Sequence, residues 1–417
     1  MNRLFDKKES WTNEERKTRQ DESLSGMVKL GYKKSARLKQ IFDTNKINPL
    51  NIKCREDLEK LPVTSREKLV DMEMQETPYA GLENHAMPID RIFTSPGPVY
   101  EPHLAENDNL WARAFFAAGI GPKDIALNAF SYHLVAAGLT FHSGLRKVGA
   151  TVVPSGTSSS QIQVQLIQDL KVTAYVGTPS FLSSIIVKAG EMGFDFKKDF
   201  RLKKACFAAE PLFPDMRRSF EKDYGIDTYQ MYGATEVGDV AYECSQKNGW
   251  HICEETIVEI VDPATGKNVA PGELGEIVVT RLNDIFFLLR FGTGDLSRII
   301  IDECPCGRTS YRITGISGRI GDAVKVRGLF IAPSQLKMIQ SKFNNLPLQA
   351  NVSRVGNDDV LKVRVEKISP EIGTPAWENN FKKIFREICT VKIDQMEYLS
   401  AGMIKPEEKL IVDQRQW

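Results

Sequence analysis

The sequence predicts an α/β protein: a large N-terminal domain of mostly parallel α/β sheets with a β-rich part, followed by a small α+β C-terminal domain. Three observations carry this expectation. Short apolar runs alternate with helical segments from about residue 120 to 225, the pattern of crossover-linked parallel strands. The apolar period falls to two from about 240 to 315, as antiparallel strands require. Composition changes again after Gly315-Ile-Ser-Gly-Arg-Ile-Gly321, where two close glycines and an arginine mark a joint. The expected domains are therefore 1–317, containing the β-rich part at about 240–315, and 318–417.

Bulk properties narrow the function. A chain of 417 residues is too long for one compact core. Its 42% hydrophobic and 26% charged content is ordinary for a soluble protein. With 55 basic and 54 acidic residues, the net charge of +1 offers no field to recruit nucleic acid or anionic lipid. The N-terminus is charged and lacks an apolar signal core, and no apolar run approaches the roughly 20 residues of a membrane span. Four of the seven cysteines crowd into 244–306, which points to metal rather than disulfides. A reducing cytoplasm fits.

In chain order, residues 1–75 are polar and helical in pattern. Pro62 stops one helix, and Thr64 or Ser65 caps the next, with Glu67 close to the position of a capping partner. Asp124–Phe130, Ala150–Pro154, Val172–Gly177 and Lys204–Ala209 read as strands, and Val135–Val148 and Pro214–Tyr224 as helices. Ile162, Leu166 and Leu170 keep one helical face, and Thr178-Pro179 caps and opens another helix. Ligands of such sheets bind beyond the carboxyl ends of the strands. That places Ala209-Glu210-Pro211 beside Tyr232-Gly233-Ala-Thr235-Glu236 at one rim. Gly233 permits a turn, Tyr232 offers a stacking face and Glu236 hard oxygens for Mg2+. The competing reading is a strand, a turn and a helix start, with Thr235 or Glu236 serving only the helix N-terminus.

Beyond 240, the segments 257–261, 275–280 and 287–291 read as antiparallel strands. Gly292-Thr-Gly-Asp295 reads as a turn, where Asp295 is either an Asx-turn residue or a site carboxylate. The last hundred residues read as a helix (333–343), a strand (360–365), a charged helix (377–388) and a short strand (391–393). Cys244, His251, Cys304 and Cys306 make a closed tetrahedral set of the structural zinc type, for which Cys253 could substitute one ligand. Cys54, Cys206 and Cys389 read as core residues. His133 and His142 flank an apolar helix and read as packed histidines rather than bases.

With these motifs assembled, the chain resembles the phenylacetate–coenzyme A ligase-type members of the AMP-forming adenylating enzymes. The resemblance runs from Leu61-Pro-Val-Thr-Ser-Arg-Glu-Lys-Leu69 through Gly149–Pro154, Thr178-Pro-Ser180, Ala209–Pro211, Tyr232–Glu236 and Thr293-Gly-Asp295 to Gly318–Gly328. It implies an acid–CoA ligase that uses ATP, Mg2+ and coenzyme A on a small aromatic acid such as phenylacetate. Ala209, Glu210 and Pro211 would line the adenine pocket, and Tyr232 would stack on the base. Thr235 would meet phosphate, Glu236 Mg2+ and Asp295 the ribose hydroxyls, with Arg308 or Arg319 near the nucleotide. Tyr132, His133 and His142 fall at the depth of the acyl pocket. Gly321 and Asp322 mark the hinge about which the small domain would turn, and relatives are often homodimers.

Two stretches depart from the pattern. In Phe93-Thr-Ser-Pro-Gly-Pro-Val-Tyr-Glu-Pro102, Ser95 and Gly97 persist from a phosphate loop, but three prolines remove N–H donors. Glu101 there is expected to place a negative charge against the polyphosphate. The tail lacks a Gly-Lys pair, so Lys405 and Lys409 are the two candidates for the adenylation lysine. The alternatives are a nucleotide- or acyl-adenylate-binding paralogue without turnover, and an adenylyltransferase with another acceptor.

Overall fold

The computed structural model describes residues 4–95, 99–103, 110–320, 324–326, 329–331, 333–355, 358–405 and 407–415. Helix α1 (Asn13–Lys34) starts on a capping box: the Thr12 hydroxyl accepts from the Glu15 amide while the Glu15 carboxylate accepts from that of Thr12. Its buried Leu24, Met27 and Val28 keep helical spacing, and they pack with Leu38 and Phe42 of α2 (Ala36–Thr44) and with Phe287 and Leu289. Before Pro62 stands a 3-10 segment, Arg55–Lys60, in place of an α-helix. The short strand β1 (Thr64–Ser65) leads into α3 (Arg66–Gln75), and Ser65 caps it by accepting from the Lys68 amide. Strands β2 (Arg91–Ser95) and β3 (Val99–His103) pair antiparallel, and α4 (Ala112–Ala117) follows.

The alternating region folds in the expected order: β4 (Ile125–Asn128), α5 (Ala136–Lys147), β5 (Thr151–Val153), α6 (Ser160–Asp169), β6 (Ala174–Gly177), α7 (Pro179–Glu191) and β7 (Lys204–Phe207). Strand β8 (Asp227–Ala234) comes next. Strands β8, β7, β6, β4 and β5 are parallel neighbours in that sequence. Adjacent residues of these strands enter opposite cores, as the pleat requires. Ala126, Val176 and Cys206 pack with Trp111 and Phe141, whereas Leu127, Tyr175 and Phe207 pack with Ile167 and Leu182.

Downstream lie β9 (Gly238–Glu243), β10 (Trp250–Ile252), β11 (Thr256–Val261), β12 (Gly275–Arg281), β13 (Phe291–Ser297), β14 (Ile299–Ile300), β15 (Arg312–Ile313) and β16 (Gly318–Arg319). The period-two region does not make a sheet of its own. Strands β9, β10, β15 and β14 continue the parallel sheet antiparallel, giving nine strands in one sheet. The remainder joins β1 in the order β1-β13-β12-β11, with β16 against β13. The expected strand at 287–291 begins only at Phe291, and it takes in Gly292-Thr-Gly-Asp295, which the sequence reading made a turn.

By contact density the chain divides into residues 1–259, 278–293 and 299–314, and residues 260–277, 294–298 and 315–417. The second unit is built on the sheet order Gln395–Leu399, Asp358–Glu366, Leu348–Val355, Ile411–Asp413, with helices Pro333–Lys342 and Pro375–Cys389. Residues 391–393 are not a strand; Val391 and Ile393 are buried, and pairing begins at Asp394, whose amide donates to Leu361 O while its carboxylate accepts from Leu361 N. Among the described residues no helix is long and apolar enough to cross a membrane.

Arg290 explains why residues 287–290 leave the strand. It is fully buried, donates twice to the Glu259 carboxylate at 3.1 and 3.0 Å, and donates to Leu61 O at 2.6 Å. Its own carbonyl accepts from the Thr64 amide, where β1 starts. Arg290→Met is expected to lower stability by about 3–5 kcal/mol, because it strands a buried carboxylate. Urea unfolding would show it, and Arg290→Met with Glu259→Met should recover most of the loss.

Candidate active site

The rim of the sheet is assembled by neighbouring strands. Phe207 and Gln230 are register partners of β7 and β8, so Ala209–Pro211 emerges beside Tyr232 at the carboxyl ends. Ala209 has φ 68°, a left-handed conformation that is strained for a residue with a side chain. It turns the chain so that Glu210 accepts from the Ser180 hydroxyl at 2.9 Å and amide at 3.3 Å, at the start of α7. Tyr232 lies against Trp250, with ring centroids 5.9 Å apart and planes inclined by 30°. A bulge separates Tyr232 from Gly233 in the β8–β9 ladder. A Cβ at Gly233 would overlap the Gly238 carbonyl oxygen and come within 2.6 Å of the Trp111 ring, so only glycine fits. Thr235 and Glu236 stand in the hairpin turn between β8 and β9, not at a helix start. The helix-cap reading of these two residues is thereby corrected.

Glu236 is buried and its Oε1 accepts from Arg66, the first residue of α3, while its Oε2 has no hydrogen-bond partner. Arg66 also donates to the Ser95 hydroxyl at 3.2 Å, and that hydroxyl donates to Glu101 Oε1 at 3.2 Å. Glu73 of α3 accepts from the Tyr100 amide. Glu101 therefore does not project as a free charge: it is 5% exposed and turned beneath Ser95. Burial, and next the neighbouring Glu236, push its carboxyl well above the usual carboxylate range. Burial lifts Glu73 to about 7 and raises Glu236 too, which its own amide and Arg66 oppose. The sequence reading missed Arg66 and Glu73, which sit seven residues apart on one face of α3. That spacing was the available signal. Gly97, Gly321 and Asp322 lie outside the described residues.

Asp295 lies in β13 opposite Arg319 of β16, and the two form an ion pair at 2.9 Å with the guanidinium exposed. Arg308 is elsewhere. Its guanidinium is buried and donates to Glu9 at 2.5 Å, and its amide donates to Cys306 Sγ. Of the two arginines offered for the nucleotide, Arg319 is the exposed one, and Arg308 is committed to a buried internal pair. Lys405 and Lys409 are both exposed. Near the apolar helix, the Tyr132 hydroxyl and His142 Nδ1 are 3.2 Å apart. His133 is exposed, so of the two histidines it is not packed.

The ligand atoms of Cys244, His251, Cys304 and Cys306 all lie within 4.8 Å of one another, and all four residues are buried. Cys244 follows β9, His251 is in β10, and Cys304-Pro-Cys306 lies between β14 and β15. Nδ1 of His251 faces the Ser310 hydroxyl at 3.3 Å, which turns Nε2 toward Cys306 Sγ, also at 3.3 Å. Cys253 is not part of this group; it packs in the core with Trp111 and Tyr242. Cys54 is only half-buried, its thiol donating to Asp57, so it is no core residue.

Residues 105–283 match the AMP-binding enzyme family, which gives the class, an AMP-binding, adenylate-forming enzyme. More narrowly, the chain belongs to the phenylacetate–coenzyme A ligase family. It is 32% identical to the phenylacetate–coenzyme A ligase of Aromatoleum evansii over 378 residues, covering 87% of this chain and 84% of that one. Against the phenylacetate–coenzyme A ligase of Escherichia coli (strain K12) it is 32% identical over 381 residues, covering 88% and 85%. A solved 2-hydroxyisobutyryl-CoA ligase in an open conformation shares the fold with a TM-score of 0.83 at 22% identity, covering 97% of this chain and 93% of that chain.

The tight approach at Gly233 is directly testable. Gly233→Ala should cost about 1–3 kcal/mol through overpacking, read as a lower urea midpoint. An unchanged midpoint would mean that the bulge relaxes freely.

Proposed function

We propose that this protein is an AMP-forming acid–coenzyme A ligase acting on an aromatic carboxylic acid. In the first half-reaction a substrate carboxylate oxygen attacks the α-phosphorus of ATP, and the bond from that phosphorus to the α,β-bridging oxygen breaks, so the β- and γ-phosphates leave as pyrophosphate. In the second, the coenzyme A sulfur attacks the acyl carbon and AMP leaves, its phosphate keeping the shared oxygen. The observation that carries this reading is the juxtaposition of Ala209–Pro211 and Tyr232–Glu236 at adjoining strand ends, in a chain akin to phenylacetate–coenzyme A ligases along most of its length.

In this reading Tyr232 stacks on adenine from the face opposite Trp250, with Ala209, Glu210 and Pro211 along its edge. Thr235 donates its hydroxyl to phosphate, and Ser95, whose own proton goes to Glu101, borders the phosphate loop. The unpartnered, buried Oε2 of Glu236 suits a hard divalent cation. Mg2+, when bound, offsets the charge that develops on the departing pyrophosphate. Asp295 accepts from the ribose hydroxyls, with Arg319 holding its carboxylate in place. One of Lys405 and Lys409 supplies the adenylation ammonium, and Gly321–Asp322 the hinge. The aromatic acid is supported by the names of the relatives.

Pyrophosphate release with ATP, Mg2+ and a panel of aromatic acids, followed by thioester formation on adding coenzyme A, tests the assignment. Release with phenylacetate or a benzoate is the expected result; none with any aromatic acid would remove the substrate class. Asp295→Ala should weaken AMP binding by about 1.5–3 kcal/mol, the range for hydrogen bonds to a charged group. Calorimetric titration measures it.

Cys244, His251, Cys304 and Cys306 are assigned here as a structural zinc site, closed by four protein ligands and without part in the chemistry. Metal analysis of the purified protein is expected to return about one zinc per chain. A disulfide between any two of these cysteines, or no metal, would rule the site out.

A further inference from the structure

Around Glu236 three buried carboxyl groups gather. Glu73, Glu101 and Glu236 are 1%, 5% and 6% exposed, and each carries a buried carboxyl oxygen with no hydrogen-bond partner: Oε1 of Glu73, Oε2 of Glu101 and Oε2 of Glu236. Each is close enough to sense another's charge. The cation placed among them is Arg66, which pairs with Glu236 and reaches Ser95 on the β2–β3 hairpin. Its side chain is 36% exposed, so it stands at the mouth of the group while Glu236 lies beneath with no side-chain exposure.

We propose that Arg66 is an internal counter-cation at the metal seat: it holds Glu236 and ties the hairpin to it through Ser95 until a divalent cation displaces it. The proposal rests on the reading of Glu236 as the metal carboxylate. It assigns Arg66 a positioning role. The guanidinium neutralises a buried carboxylate that would otherwise be uncompensated. It also fixes the first strand of the hairpin against the β8–β9 turn by two hydrogen bonds from one planar group. A divalent cation entering this seat therefore competes with a charge already present, and the nucleotide-free protein binds metal weakly. Removing Arg66 takes away the counter-charge that pairs with Glu236, which favours metal.

Binding of Mn2+ to the full-length, nucleotide-free protein, followed by electron paramagnetic resonance of the free ion, tests this. Arg66→Met should bind Mn2+ about tenfold or more tightly than wild type, given the strength of a close charge pair. Arg66→Lys retains a cation but cannot bridge two acceptors, so it should fall between the two, and it serves as the test if the methionine variant does not fold. Affinity equal to or weaker than wild type in whichever folded variant is read overturns the proposal. Glu236→Gln separates it from the underlying reading: undiminished Mn2+ binding there would show that Glu236 is not the metal carboxylate. Loss of binding there with no gain in the Arg66 variants would leave the metal seat standing and remove only the role of Arg66.

Discussion

One strand governs the architecture of the site. β8 pairs parallel with β7 over Asp227–Gln230 and antiparallel with β9 over Met231–Ala234, so a single eight-residue strand belongs to two kinds of ladder. The two ladders differ in hydrogen-bond spacing, and the mismatch is taken up by the bulge at Tyr232–Gly233. The same bulge aims Tyr232 at Trp250 and delivers Thr235 and Glu236 at the tip of a hairpin. A purely parallel sheet would have sent the chain into a crossover helix there. The rim thus owes its shape to the change of strand sense.

What could be read from the sequence follows from how local each signal is. The strand–helix alternation from Ile125 to Phe207 was legible because its helices and most of its strands bury apolar runs of their own period. The zinc-type quartet was legible because cysteine and histidine carry their chemistry whatever the fold. The antiparallel partner of β8 was not, since the choice between hairpin and crossover after Gly233 depends on Trp111 and Gly238 closing over it. Phe287-Leu-Leu-Arg-Phe291 looked like one strand because Arg290 reads as an outward polar residue. Its real partners, Glu259 and Leu61, are 31 and 229 residues away.

The phosphate-loop region shows how burial changes the meaning of a residue. By sequence, Glu101 is an anion set against a polyphosphate. In the fold it is a buried carboxyl that accepts from the Ser95 hydroxyl, its pKa pushed up by burial, and Glu236 beside it is paired with Arg66. Glu101 is thus an internal group of the β2–β3 hairpin and not a charge projected at the loop.

The buried pair of Glu9 and Arg308 has a consequence for biosynthesis. Its members are 299 residues apart, and Glu9 also accepts from the Tyr242 hydroxyl. The stretch that holds Arg308 anchors the N-terminal segment again through Thr309, whose amide donates to Glu9 O and whose hydroxyl donates to Trp11 O. Synthesis runs in the N-to-C direction, so Glu9 and Trp11 leave the ribosome well before Arg308 and Thr309, which receive them. Their docking is a late, high-contact-order event. Until then Glu9 and Trp11 lack the partners that hold them in the fold.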